Sequence, residues 1–208
     1  MKRIVILLMS LLPACALCAG PSPLATKDPV AGFSQPELTK RWWQWALSFE
    51  RGNSPLSDLS GAKCSMGQEG SIWYLAGVFG SDPAQRTCHV PEGRTLFFPI
   101  INYIFLPRDG AGNCADSLRW AREATDSPQA LFAELDGEPV PDLEKHRVAS
   151  LGCFNAGEKT PGQPMIGPAA SNGYWLAFAP LPKGRHKLHF GGTLPTLQQD
   201  MTYTLIVE

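Results

Sequence analysis

Between Cys64 and Leu106 the chain reads CSMGQEGSIWYLAGVFGSDPAQRTCHVPEGRTLFFPIINYIFL, and this stretch limits the fold more than any other. Ile72 to Phe79 is almost continuously apolar and mixes β-branched with aromatic side chains. At that length a strand buried on both faces is favoured over a helix. Gly80-Ser81-Asp82-Pro83 then turns the chain, Arg86 to Val90 starts a second strand, and Pro91-Glu92-Gly93 makes a tight turn. Thr95 to Phe105 is more apolar still, but Pro99 has no N–H to give a central ladder. It predicts an edge position, a bulge or two shorter strands. With Cys64 and Cys88 in its first half, the stretch reads as the central hairpin of a β-rich core, closed by a disulfide.

The cysteines make sense once the first residues are set aside. Met1-Lys2-Arg3 is a basic start, Ile4 to Leu12 an apolar run, and cleavage after Ala16 or Ala19 follows small residues. Residues 1–19 therefore read as a secretory signal peptide, too short to span a bilayer. No later segment reaches spanning length. Leu12-Pro13-Ala14-Cys15 fits a lipid-attachment signal poorly because of its proline, so no lipid anchor is expected. The expected location is periplasmic or secreted, where disulfides persist. Cys64, Cys88, Cys114 and Cys153 survive cleavage and allow three pairings. Cys64–Cys88 with Cys114–Cys153 is preferred, because each pair flanks one supersecondary unit. No Cys-x-x-Cys is present, which argues against a zinc ribbon or a thioredoxin-like site.

Roughly 190 residues remain, enough for one domain with a real core. Residues 20–33, with Pro21, Pro23 and Pro29, read as an extended leader into a single domain over 34–208. Ser34 and Glu37 have capping-box spacing, and Leu38, Trp42, Trp45 and Phe49 form one helical apolar stripe. Trp43 lies off that stripe and is the best candidate for an exposed contact. Asp116 to Ala124 reads as a short helix. Leu131 to Leu135 and Glu138 to Val140 flank Asp136-Gly137, a strong hairpin signal. Arg147 to Ser150, Tyr174 to Ala179, Arg185 to Phe190 and Met201 to Val207 read as further strands. Asn155 to Asn172, rich in Gly and Pro, reads as a surface excursion. The expected fold is mainly β: an antiparallel, jelly-roll-like β-sandwich with one N-terminal amphipathic helix and minor helices.

A Trp-rich helix is followed by Cys64, Gly67-Gln68, Gly70, Trp73, Leu75-Ala76-Gly77, Cys88, Val90-Pro91, Gly93, Leu96-Phe97-Phe98-Pro99 and Asn102. This order resembles a group of exported bacterial proteins of uncharacterised function. The resemblance covers about the first half of the mature chain and is most specific from Cys88 to Pro99. It implies an extracytoplasmic location and adds weight to a Cys64–Cys88 bond. It supplies no catalytic residue.

Chemistry is sparsely signalled. Losing Lys2 and Arg3 leaves the chain slightly acidic and without a basic run, which excludes a nucleic-acid binder. There is no Gly-x-Ser-x-Gly, His-Glu-x-x-His or phosphate-binding loop, and no catalytic residue or cofactor is assigned. His186 and His189 point to opposite faces of a strand and do not form a metal pair. Asp109, Asn113 and Asp116 offer oxygen ligands for calcium without EF-hand spacing; their bland reading is turn stabilisation. Gln68, Glu69, Arg94 and Asn102 are polar residues in or beside apolar runs. They are read either as a buried network fixing strand register or, with Trp43, as a ligand site. The leading function is an exported binding or interaction module of the cell envelope, with an envelope protein or glycan as partner. The alternatives are an envelope-polymer hydrolase with carboxylates converging from loops, and a structural or inhibitory partner protein.

Overall fold

The computed structural model describes residues 22–107, 112–157 and 166–208. The signal peptide with its two cleavage sites, Asp109, and 158–165 of the Gly- and Pro-rich excursion lie outside the described residues. Among the described residues two α-helices, α1 (Gln35–Ala46) and α2 (Cys114–Glu123), accompany nine strands. These are β1 (Ile72–Tyr74), β2 (Ala84–Val90), β3 (Thr95–Phe105), β4 (Ala130–Leu135), β5 (Glu138–Pro139), β6 (Arg147–Ala149), β7 (Ala170–Phe178), β8 (Gly184–Leu194) and β9 (Leu197–Val207).

The strands form two sheets, ordered β1-β3-β7-β6 and β2-β9-β8-β4-β5. The fold is thus mainly β, as the patterning predicts, but the sheets are mixed. β1 runs parallel to β3 and β2 parallel to β9, whereas the other pairs are antiparallel. The expected central hairpin over Cys64 to Leu106 is not formed. β1 and β3 lie side by side in one sheet, and β2 between them crosses to the edge of the other. The reason is visible in the side chains. β2 alternates buried and exposed positions and suits a half-solvated sheet. β3 is buried on both faces from Leu96 to Asn102 and needs cover on each side.

That double cover defines three layers. One face of the first sheet, through Leu96, Phe98, Ile100, Leu176 and Phe178, meets Leu188, Phe190, Met201, Tyr203 and Leu205 of the second. The opposite face, through Phe97, Val148, Trp175 and Ala177, packs against Leu38, Trp42 and Trp45 of α1. Phe97 stacks on Trp175 at 5.3 Å between ring centroids, and Trp42 meets Trp175 edge-on at 5.5 Å. The Ser34 hydroxyl accepts from the Glu37 N–H at the start of α1. Glu37 itself turns to Lys40 and Arg41 rather than back to close a capping box. Pro99 does what its missing N–H requires: the β3–β7 register shifts between Pro99 and Ile101. β3 still holds an inner position in its sheet.

Both disulfides have the expected pairing, Cys64–Cys88 and Cys114–Cys153, with Cα separations of 5.8 and 5.7 Å. The first pins the loop before β1 against β2, where the Thr87 N–H donates to the Ser60 carbonyl at 2.9 Å. The second ties the start of α2 to the segment after β6. The Pro-rich segment expected as an extended leader is packed against the domain over its described residues. Val30 is fully buried, and the Leu24 N–H donates to the Ala177 carbonyl of β7 at 2.8 Å. No described helix is long and apolar enough to cross a membrane.

Candidate functional site

A cavity of about 290 Å³ opens where α1, the short turn Pro55–Ser57, the second half of β3, the turn after β1 and the β8–β9 turn converge. Its walls are almost wholly apolar: Trp42, Trp43, Leu47, Leu56, Val78, Phe79, Ile104, Leu106 and Leu197, with Tyr103 among them. The two indoles are held by their ring N–H groups. Trp42 Nε1 donates to the Leu75 carbonyl at 3.0 Å, and Trp43 Nε1 to Ser171 Oγ at 2.8 Å. Phe79 stands at the rim, 40% exposed, with the Arg51 guanidinium over its ring.

Two amides enter this apolar lining. Gln199 reaches across from β9 and donates from Nε2 to the Ile100 carbonyl at 2.7 Å, with Pro99 O at 3.4 Å. It thereby satisfies the backbone that the Pro99 irregularity leaves without a ladder partner. The approach needs a glycine at 77, where any Cβ would overlap Gln199 Oε1. Asn102 is 8% exposed and sits opposite Gly173 of β7, whose missing Cβ lets the two strands close up around it. Among the described residues its side chain has no hydrogen-bond partner, and Nδ2 is buried. Leaving such a donor unmet costs about 1–3 kcal/mol.

Behind the cavity, Arg86 of β2 is 3% exposed. Its Nε donates to the Asp58 carbonyl at 2.7 Å, Nη1 to the Ala76 carbonyl at 2.7 Å and to Tyr203 Oη, and Nη2 to the Gly77 carbonyl at 3.0 Å. One guanidinium thus fixes the chain from Ala76 to Gly77 that forms the cavity's edge. Burial holds the Tyr203 phenol above its ordinary range, although the Arg86 charge pulls the other way. For the Asp58 carboxyl, burial pushes upward. The Lys63 and Ser60 N–H groups, the Ser60 hydroxyl and the Arg86 charge outweigh it and hold the carboxyl below its usual range.

The sequence-derived candidates divide accordingly. Trp43 and Asn102 come together at the cavity, but Trp43 is buried, 8% exposed, and is not the exposed contact its off-stripe position suggests. The physical reason is that α1 packs across β3, β7 and β6, and the Trp43 ring turns in to reach Ser171 of β7. Gln68 lies apart: its amide donates to the Cys64 and Tyr74 carbonyls and accepts from the Tyr74 N–H, closing the free edge of β1. Glu69 is exposed at a separate surface hollow beside Arg41 and Tyr74. Burial pushes the Tyr74 phenol up to about 12, against a smaller opposing pull from Arg41. Arg94 precedes β3 and has one buried guanidinium nitrogen without a partner. Asn113 is the N-cap of α2, its Oδ1 accepting from the N–H of Asp116 in the first turn at 2.9 Å. Among the described residues no three His, Cys, Asp or Glu side chains gather as metal ligands.

Trp120 is the exposed tryptophan, 46% exposed, and its ring has two neighbours. Phe105 stacks on it at 6.3 Å and the Arg119 guanidinium lies 4.5 Å from its centroid. Sequence reading missed Arg86 and Gln199. Each carried a signal, because Arg86 shares strand parity with Cys88 and Val90, and Gln199 with Met201 and Tyr203.

The sequence matches no protein-family model and no curated protein. Two solved structures are similar over part of the chain. A chain from PbICP-C in complex with falcipain-2 has 10% identity and a TM-score of 0.29, covering 67% of this chain and 100% of its own. Amebosin, solved in solution, has 13% identity and a TM-score of 0.22, covering 62% and 100%. Overlap this low carries no argument about fold or function.

Proposed function

We propose that the protein is an exported binding module, periplasmic or secreted, that holds a small apolar ligand in the cavity beside α1. The observation that carries this is the pairing of an indole-walled apolar cavity with a buried, unpartnered Asn102 amide. Two disulfides agree with an oxidising compartment, as does the resemblance of the first half of the chain to exported bacterial proteins. Binding is favoured over hydrolysis because, among the described residues, the cavity lining contains no carboxylate, histidine or cysteine to act as acid, base or nucleophile.

Native mass spectrometry of the mature protein isolated from its own envelope fraction tests this. The expected result is one small molecule per chain, absent from a Leu197→Trp variant whose larger side chain fills the cavity. Protein that carries no small molecule, or carries it equally in Leu197→Trp, would rule the cavity out.

A further inference from the structure

We infer that the ligand is a neutral, largely apolar molecule of about ten to twelve carbons bearing one hydroxyl, held by the Asn102 amide. This rests on the binding role proposed above and names its chemistry. An apolar cavity of roughly 150 Å³ takes one benzene ring, so one of about 290 Å³ takes about two rings or an equivalent chain. Among the described residues the lining holds no charged side chain, and the Arg51 guanidinium stands outside it over Phe79, so an ionised group inside the cavity would lose its hydration without a charged partner.

The polar groups available narrow the choice further. The Trp42 and Trp43 ring N–H groups are already committed to Leu75 and Ser171, and Gln199 Nε2 to the β3 carbonyls. Asn102 is the buried amide left over, with a donor and an acceptor end and no protein partner among the described residues; Tyr103 brings a side-chain hydroxyl to the lining. A hydroxyl both donates and accepts, and so answers either end of that amide. A hydrocarbon would leave the amide unmet.

Equilibrium dialysis of the mature protein with 2-naphthol and its near-isostere 2-methylnaphthalene provides the test, with Asn102→Leu and Asn102→Ala measured beside the wild type. The expected result is that the wild type binds both. In each variant the ratio of the two affinities should shift about fivefold or more toward the hydrocarbon, the worth of one hydrogen bond. Circular dichroism establishes which variants fold; if Asn102→Leu does not, the ratio in Asn102→Ala decides. An unchanged ratio with both compounds still bound would overturn the hydroxyl assignment while leaving the binding role standing. A wild type that binds neither compound would remove the binding role, and this inference with it.

Discussion

Gln199 of β9 donates its side-chain amide to the Ile100 carbonyl of β3 at 2.7 Å, so one sheet repairs the irregularity that Pro99 imposes on the other. The same contact brings a polar side chain to the cavity wall and couples site to fold. Gln199→Leu keeps the side-chain volume but leaves that carbonyl without its donor. It should lower stability by about 1–3 kcal/mol in urea unfolding. Gly77→Ala should act in the same direction, since its methyl group collides with Gln199. A Gln199→Leu variant as stable as wild type would show that the bulge needs no such partner.

Arg86 is the larger structural commitment. Arg86→Met would leave the Asp58, Ala76 and Gly77 carbonyls and the Tyr203 hydroxyl without its N–H donors, at an expected cost of at least about 1–3 kcal/mol, the penalty for one buried group left unsatisfied. Arg86→Lys should rescue little, because a single ammonium cannot serve the directions of a planar fork. Denaturant midpoints of the two variants decide it. Full stability in Arg86→Lys would mean that the charge matters and the geometry does not.

His186 should make stability depend on pH. Its Nδ1 lies 2.7 Å from Asp136 Oδ2 and its Nε2 2.9 Å from the Pro182 carbonyl, so both ring nitrogens face acceptors. Only the imidazolium can donate at both. Burial pushes its pKa down, but the Asp136 and Pro182 bonds outweigh it and leave the folded value raised. A raised folded pKa gives stability that is fully present below the unfolded value of about 6.5 and lost as pH rises through the folded one. Melting temperatures taken across neutral pH should therefore fall by an increment that His186→Gln lacks. Parallel curves for the two proteins would exclude the effect.

The disulfides are testable by mass and by stability. Peptide mapping should join Cys64 to Cys88 and Cys114 to Cys153. Replacing Cys114 and Cys153 together by alanine should cost about 3–4 kcal/mol, as expected for a closed loop of that size. Mapped peptides with any other pairing would contradict the structure.

How far the sequence could be read follows from the range of the forces involved. Local patterns were legible. The Ser34 cap, the α1 stripe, the Asp136-Gly137 turn and the inward row Met201, Tyr203, Leu205 and Val207 all depend on residues a few positions apart. The Pro99 irregularity was legible for the same reason. Strand pairing was not. Nothing in Ile72 to Phe105 says that β2 leaves its neighbours for β9, because that partner lies more than a hundred residues away. The site was half legible: Asn102 was conspicuous as an amide in an apolar run, but its cavity is assembled from five separated segments. Gln68 was equally conspicuous and proved to be an edge clasp for Tyr74, since a polar residue beside a strand looks the same in either role.

The most direct measurement of the central claim is an NMR titration of the ¹⁵N-labelled mature protein with 2-naphthol. The expected result is saturable shifts centred on the Trp42 and Trp43 indole N–H signals and the Asn102 side-chain amide, lost when Leu197→Trp fills the cavity. Saturation without movement of those signals, or the same response in Leu197→Trp, would contradict it.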